Sequence, residues 1–488
     1  MNKELLLFQI GPVQEFIAQA ENVSELWAGS YLLAKLTLAG IKVVPNYEDN
    51  LVFPNFQKDK DGNSIVFDAL EKKEIPTIPN RFLATVEKGT AEDIANKAKE
   101  AIICYLAKEL KDKEIVKEAK DAREHAEAFL QITWAYIDYD GSKGMGENYA
   151  KVGRKLALRR NVRDFAPWFE NELGKAKDFL SGKENVIKNN RGALNNLKLK
   201  LVEEKNNKFN NDTDQQDKQQ KSDRYIAVIA MDGDKMGASL SNLKKEEDHR
   251  AFSKSLAEFA IGVQSIVERY QGKLIYAGGD DVLAVVSAKK AVECAEELAN
   301  AFKETMKKYK WKDEKENKEK EISASAGIAI GHKKVPLQDI VHAAHKAESR
   351  AKTTYDRGAL AITVLKRSGE IIEWGCKWNS NTLKLFKEIN GSVEDETHGF
   401  AYKLDAYLKP LALDKKPTIE KEYLKAIVKT EFIRLCDRTD VKVEDPEQLK
   451  KIASESIDEV FSEGKYRPQD FVNTFLCEAF INRPREEK

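Results

Sequence analysis

Cysteine is scarce and scattered, with five residues in 488, at positions 104, 294, 376, 436 and 477. No two of them form a CxxC pair, which excludes a zinc ribbon or a dithiol redox centre and fits a reducing cytoplasm. Net charge is missing too: 81 basic residues balance 81 acidic ones. No global field advertises a nucleic-acid partner, so any polyanion site has to be local. Long apolar runs are absent. The N-terminal run Leu5–Ile10 stops at Gly11-Pro12, too short for a signal peptide. Nothing reaches the roughly 18 apolar residues of a membrane span.

What is present is a globular composition, 42% hydrophobic and 33% charged, enough for roughly two to four domains. Residues 1–140 read as α/β, with strands near Leu5–Ile10, Leu51–Phe53 and Arg81–Val86. A helix capped by Ser24 carries Leu26, Trp27, Tyr31 and Leu36, and a longer one spans Ala91–Lys111. From Ala119 to Leu180 the pattern is mostly helical and holds the densest basic stretch, Lys151, Arg154, Lys155, Arg159, Arg160 and Arg163. That stretch suits phosphate contact or a solvated helix face. Residues 205–222 are polar and nearly free of apolar side chains, the composition of a disordered linker. Order resumes at Tyr225–Met231, and the order β-α-β-β-α-β-α-β up to about residue 368 contains a ferredoxin-like unit. The Lys/Glu-rich stretch 310–320 reads as a solvated loop, and residues 369–488 read as helical.

The chemistry concentrates at Gly278-Gly279-Asp280-Asp281, between two strand-like runs. The glycines permit a tight turn and leave two adjacent carboxylates projecting from its tip. Such neighbours repel unless a cation sits between them, and hard divalent metals take carboxylate oxygens. A second acidic element, Asp232-Gly233-Asp234, closes the strand Tyr225–Met231. In a ferredoxin-like sheet that strand lies beside the hairpin, so Asp232 approaches Asp280 and Asp281. Convergent carboxylates of this kind hold two Mg²⁺ roughly 4 Å apart for phosphoryl or nucleotidyl transfer. Lys352 closes the helix Ile340–Lys352. A cation is favourable at a helix C-terminus in itself, and the same ammonium could meet phosphates.

Taken together these residues resemble the GGDEF/polymerase palm, through Asp232-Gly-Asp, Gly278-Gly-Asp-Asp, Ser325-Ala-Gly-Ile-Ala-Ile330 and Ala344-His-Lys-Ala-Glu-Ser-Arg-Ala-Lys352. With Ile10-Gly-Pro-Val-Gln-Glu-Phe-Ile17, Leu26-Trp-Ala-Gly-Ser-Tyr-Leu-Leu33 and Pro79-Asn-Arg-Phe82, the chain is similar to the large palm-containing subunit of type III CRISPR effectors, in the Cmr-type (III-B) branch. The resemblance implies an α+β architecture: a degenerate first palm (1–140), a helical inter-palm domain (141–204), a linker (205–222), a second palm (223–368) and a C-terminal helical domain (369–488). It implies Mg²⁺ or Mn²⁺ on Asp232, Asp280 and Asp281 with Asp234 assisting, and ATP as substrate with its triphosphate at Lys352. Gly278 and Gly279 would admit the nucleotide closely. Ser30 and Tyr31 would contact nucleotide, with helix packing the equal alternative.

The same resemblance implies synthesis of cyclic oligoadenylate triggered by target RNA, within a complex of Cmr-type subunits and guide RNA. Two features of relatives are expected to be missing. The six histidines include no His-Asp pair, so no HD nuclease is expected. Residues 141–222 lack cysteine, so no inter-palm zinc is expected. Some relatives without that nuclease instead join AMP to S-adenosylmethionine, and Asp68 and Glu147 are acidic groups of the first palm without an assigned role. The alternatives are a non-catalytic scaffold, against which the intact aspartate set argues, and a free-standing cyclase, which would not need the first palm or the C-terminal helices.

Overall fold

The computed structural model describes residues 3–56, 64–139, 144–161, 176–208, 224–313, 317–391, 397–415, 419–438, 445–462 and 467–482. Arg163 and most of the expected linker lie outside the described residues, whereas residues 205–208 close a helix, Ala193–Lys208. Strands are numbered here in chain order.

The first unit is built on β1 (Lys3–Gly11), β2 (Leu51–Phe53), β3 (Arg81–Glu87) and β4 (Gln131–Tyr139). Their order is β2-β3-β1-β4, with β1 antiparallel to both neighbours. Helices Val23–Ile41 and Ala91–Asp112 make the crossovers, which completes a β-α-β-β-α-β ferredoxin-like unit. The first of these helices is capped by Asn22 rather than Ser24, because the Asn22 side chain accepts from Glu25 N at 3.0 Å. The strand β4 corrects the helical reading of 119–180. Ile132, Trp134, Tyr136 and Ile137 give it strand-forming side chains, but helical periods on both sides (Ala119–Phe129 and Met145–Asn161) mask it.

The second unit has β5 (Tyr225–Gly233), β6 (Lys273–Ala277) and β7 (Val282–Ser287), then a separate pair, β8 (Lys310–Asp313) and β9 (Lys318–Glu321). The main sheet continues through β10 (Ala324–His332), β11 (Ala359–Leu365) and β12 (Ile371–Lys377) in the order β12-β11-β10-β5-β7-β6. Here β10-β5-β7-β6 repeats the ferredoxin-like order, and helix Leu337–Thr353 connects β10 to the parallel strand β11. Two expectations change. Within 310–320 the described residues belong to the paired strands β8 and β9, where Lys320 pairs with Asp313 at 2.7 Å, so cross-strand charge pairs replace the apolar signal. Residues 371–377 join the sheet as β12 before the C-terminal helices begin.

The sheet of the second unit is buried on both faces, which explains why β5 is apolar throughout. Ala227, Ile229 and Met231 pack with Phe252, Phe259, Phe302 and the C-terminal helices. Val228 and Ala230 turn the other way, into a core shared with Leu6, Phe8, Leu26 and Trp27 of the first unit. The C-terminal helices pack around Phe400, Phe432, Phe471 and Phe475. No helix among the described residues is long and apolar enough to cross a membrane.

Candidate active site

The end of β5 and the β6–β7 turn are drawn together by backbone bonds. Gly233 N donates to the Asp280 carbonyl at 3.1 Å, and Gly278 N donates to the Asp281 carbonyl at 2.9 Å. Asp232, Asp280 and Asp281 therefore share one edge of the sheet. Gly279 sits at φ +94°, a conformation that suits glycine. Gly278 is required for another reason, since a Cβ there would stand 1.6 Å from the Tyr276 hydroxyl. Its bareness accommodates a side chain of this protein.

Asp280 and Asp281 are partly accessible yet walled in by protein. Burial first, and the Asp232 carboxylate second, push both carboxyls upward. The same crowding holds the Tyr276 hydroxyl well above its ordinary range. Two cations face this cluster. Lys352, in the last turn of Leu337–Thr353, donates to Asp232 Oδ2 and, at 2.7 Å, to Glu348 Oε1. Burial, the largest single influence, pulls its pKa down, but the Asp232 and Glu348 carboxylates together outweigh it and the net shift is upward. Arg81, from β3 of the first unit, faces the same cluster. Burial opposes its charge, and Tyr149, Asp280, Tyr276 and Asp232 more than offset that.

The donors are all carboxylate oxygens, the chemistry of a hard divalent cation, and the ammonium on Asp232 shows that the position accepts positive charge. The residues present fit Mg²⁺ or Mn²⁺. Among the described residues no three acidic, His or Cys side chains form a ready cage, so the carboxylates converge on a region rather than a preformed point.

Three expected site residues lie elsewhere. Asp234 is only 2% exposed, and its carboxylate accepts from Ser323 Oγ (2.7 Å), Ser325 Oγ (2.8 Å) and Gly358 N (2.9 Å). Its oxygens tie the end of β5 to β10 and to the turn before β11, which leaves it an anchor rather than a metal ligand. Ser30 Oγ lies between the carbonyls of Trp27 (2.8 Å) and Ile275, sealing the contact of helix Val23–Ile41 with β6. Tyr31 stacks on Trp27 with ring centroids 4.9 Å apart and lines a different recess, with Glu74, Tyr105 and Lys205. Helix packing therefore accounts for Ser30, while Tyr31 faces a recess away from the acidic cluster. Asp68 pairs with Lys72 at 3.0 Å, and neither Asp68 nor Glu147 borders the cleft beside Asp280.

That cleft lies between the two units. Phe53, Arg81 and Tyr149 line one side, and Phe252, Ser253 and Asp280 the other. Its walls are chiefly apolar. The buried Ser253 hydroxyl has no hydrogen-bond partner in the structure.

The comparisons with known proteins agree with this layout. The family model described as Cas10/Cmr2, second palm domain, matches residues 225–361, and that of the CRISPR-associated protein Cmr2, N-terminal, matches residues 5–113. The chain belongs to the Cas10/Cmr2 family. It is 31% identical over 207 residues to the CRISPR system Cmr subunit Cmr2 of Pyrococcus furiosus, a match covering 35% of this chain and about a fifth (22%) of that protein. Among solved structures it is similar to a chain of the type III-B Cmr-beta complex in the apo state, with TM-score 0.63 and 11% identity over 98% of this chain and 82% of that one. A chain of the Csm1-Csm4 cassette in complex with cA4 gives TM-score 0.56 and 12% identity over 99% and 70%. At such identities the likeness establishes the palm-containing α+β fold.

Three residues near the acidic cluster are not singled out by the sequence as site groups: Glu348, on Lys352, and Arg81 and Ser253, which line the cleft. Glu348 could have been found from its i, i+4 spacing to Lys352 on a charged helix face. Arg81 lies in the Pro79-Asn-Arg-Phe82 run, but nothing local marks it or Ser253 as a site group, since only the apposition of the two units brings them to Asp280.

Proposed function

We propose that the chain is a nucleotidyltransferase that builds an ATP-derived messenger, cyclic oligoadenylate, as the palm subunit of a Cmr-type effector switched on by target RNA. The observation that carries this reading is the convergence of Asp232, Asp280 and Asp281 at one end of the sheet, with Lys352 paired to Asp232 and Arg81 beside Asp280. The related Csm1-Csm4 cassette, solved with cA4, supports the class of product. Asp232, Asp280 and Asp281 would hold Mg²⁺ or Mn²⁺, which when bound would acidify an attacking hydroxyl and stabilise leaving pyrophosphate. Lys352 and Arg81 neutralise phosphate charge from opposite sides. Gly278 and Gly279 shape the turn, and Asp234 keeps its strand in place.

The test uses the chain assembled with its partner subunits, guide RNA and target RNA, given labelled ATP and Mg²⁺ or Mn²⁺. Parallel reactions contain S-adenosylmethionine, so an adduct with AMP would be recognised by its different mobility. Target-dependent oligoadenylate should form and fall at least about a hundredfold in Asp280→Ala/Asp281→Ala. Product that survives this double substitution would remove the site assignment. A wild-type assembly that makes none under any condition would favour a scaffold.

A further inference from the structure

Lys352 is bonded to a carboxylate that the proposed reaction needs free. Its ammonium contacts Asp232 on one side and Glu348 Oε1, at 2.7 Å, on the other. Asp232 still keeps its side chain 32% exposed, whereas Glu348 is 16% exposed. Glu348 stands one turn before Lys352 on the same helix, so this pairing survives any change at β5. Burial pushes the Glu348 carboxyl upward, and the Lys352 ammonium pulls it part of the way back.

We propose that Glu348 is a positioning residue: it takes sole hold of Lys352 when a divalent cation claims Asp232, and presents the ammonium to phosphate from there. Lys352 serves as a stand-in cation that covers Asp232 until metal arrives. Glu348 makes the exchange easy, because the ammonium leaves one carboxylate while keeping another. Without Glu348 the lysine has only Asp232 to pair with, and metal must strip a half-buried ammonium of its one ionic partner. This inference rests on the metal-binding reading of Asp232, Asp280 and Asp281.

The test measures Mn²⁺ binding by electron paramagnetic resonance on the full chain, taking the part that disappears in Asp280→Ala/Asp281→Ala. Glu348→Gln should weaken that binding by about tenfold, and Glu348→Asp should restore part of it. In a Lys352→Met background, Glu348→Gln should have no effect, since there is no ammonium left to hold. If Glu348→Gln weakens Mn²⁺ equally in both backgrounds, Glu348 is itself a ligand and the inference falls. No effect in either background also overturns it while the metal reading stands. Absence of any Asp280-dependent Mn²⁺ binding in the wild-type chain overturns both.

Discussion

Among single residues, Lys198 shows how far burial can move a charge outside the cleft. It is fully buried on helix Ala193–Lys208, donates to the Gln19 carbonyl at 2.8 Å, and lies 3.9 Å above the Phe16 ring. Burial brings its pKa from 10.5 down to about 7. Glu478, 1% exposed in the last described helix, moves the other way, from 4.5 up to about 7. The signs differ accordingly. In the window between 7 and 10.5 the unfolded chain holds a proton that folded Lys198 has given up, so its contribution is lost as pH falls toward 7. Between 4.5 and 7 folded Glu478 keeps a proton that the unfolded chain has lost, so its contribution declines as pH rises. Lys198→Met should flatten the rise in thermal stability between neutral and alkaline pH while leaving the acid limb alone, and Glu478→Gln should do the reverse. Melting curves across both windows check this. Parallel profiles for wild type and Lys198→Met would mean that Lys198 stays charged.

Elements were legible wherever period and composition agreed. The strands β1, β5 and the β6–β7 pair announce themselves by short apolar runs, and helix Leu337–Thr353 by its apolar stripe of Ile340, Val341, Ala344, Ala347 and Ala351. The aspartates of the site were legible because each sits at a strand end with its own small motif. The strands β4, β8, β9 and β12 were hidden because helical neighbours or dense charge covered a two-residue period. Asp234 shows the limit of spacing as evidence. It stands two residues from Asp232, yet β10 and the turn before β11 supply the hydroxyls and the amide that turn it inward. The tightest element contact in this region is at Gly327 of β10. A Cβ there would lie 2.0 Å from Glu348 N and 2.2 Å from the Ala344 carbonyl oxygen, so the helix bearing Lys352 rests directly on bare backbone. Gly327→Ala should destabilise the chain by about 1–3 kcal/mol and shift Glu348 and Lys352 away from Asp232. Lowered melting temperature together with weaker Asp280-dependent Mn²⁺ binding is the expected pair of readings. An unchanged melting temperature would show that the helix yields without cost.

For the molecule as a whole, the decisive feature is that the two ferredoxin-like units are joined by more than a linker. Residues of both units pack in one apolar cluster. Backbone bonds cross the seam at each end: Met145 N to the Lys244 carbonyl (2.7 Å), Gly146 N to the Leu243 carbonyl (2.8 Å), and Ala277 N to the Pro76 carbonyl (3.2 Å). Arg250, from the second unit, also donates to the Leu51 carbonyl of the first. The cleft with Arg81 on one wall and Asp280 on the other exists only while this seam holds. Gly146 is its narrowest point, because a Cβ there would stand 2.1 Å from the Ser241 carbonyl oxygen, which is rigid backbone. Gly146→Ala should therefore pry apart the units rather than disturb one of them. Amide hydrogen exchange should quicken on both sides at once, in the helix Met145–Asn161, which packs on Leu5 and Leu7 of β1 in the first unit, and in the helix Met236–Asn242 of the second. The two units should also melt in a single transition in the wild-type chain, since unfolding either exposes the shared core of the other. Faster exchange confined to residues 145–161 would mean that the seam is local and that the first unit can move while the acidic edge of the second stays as it is.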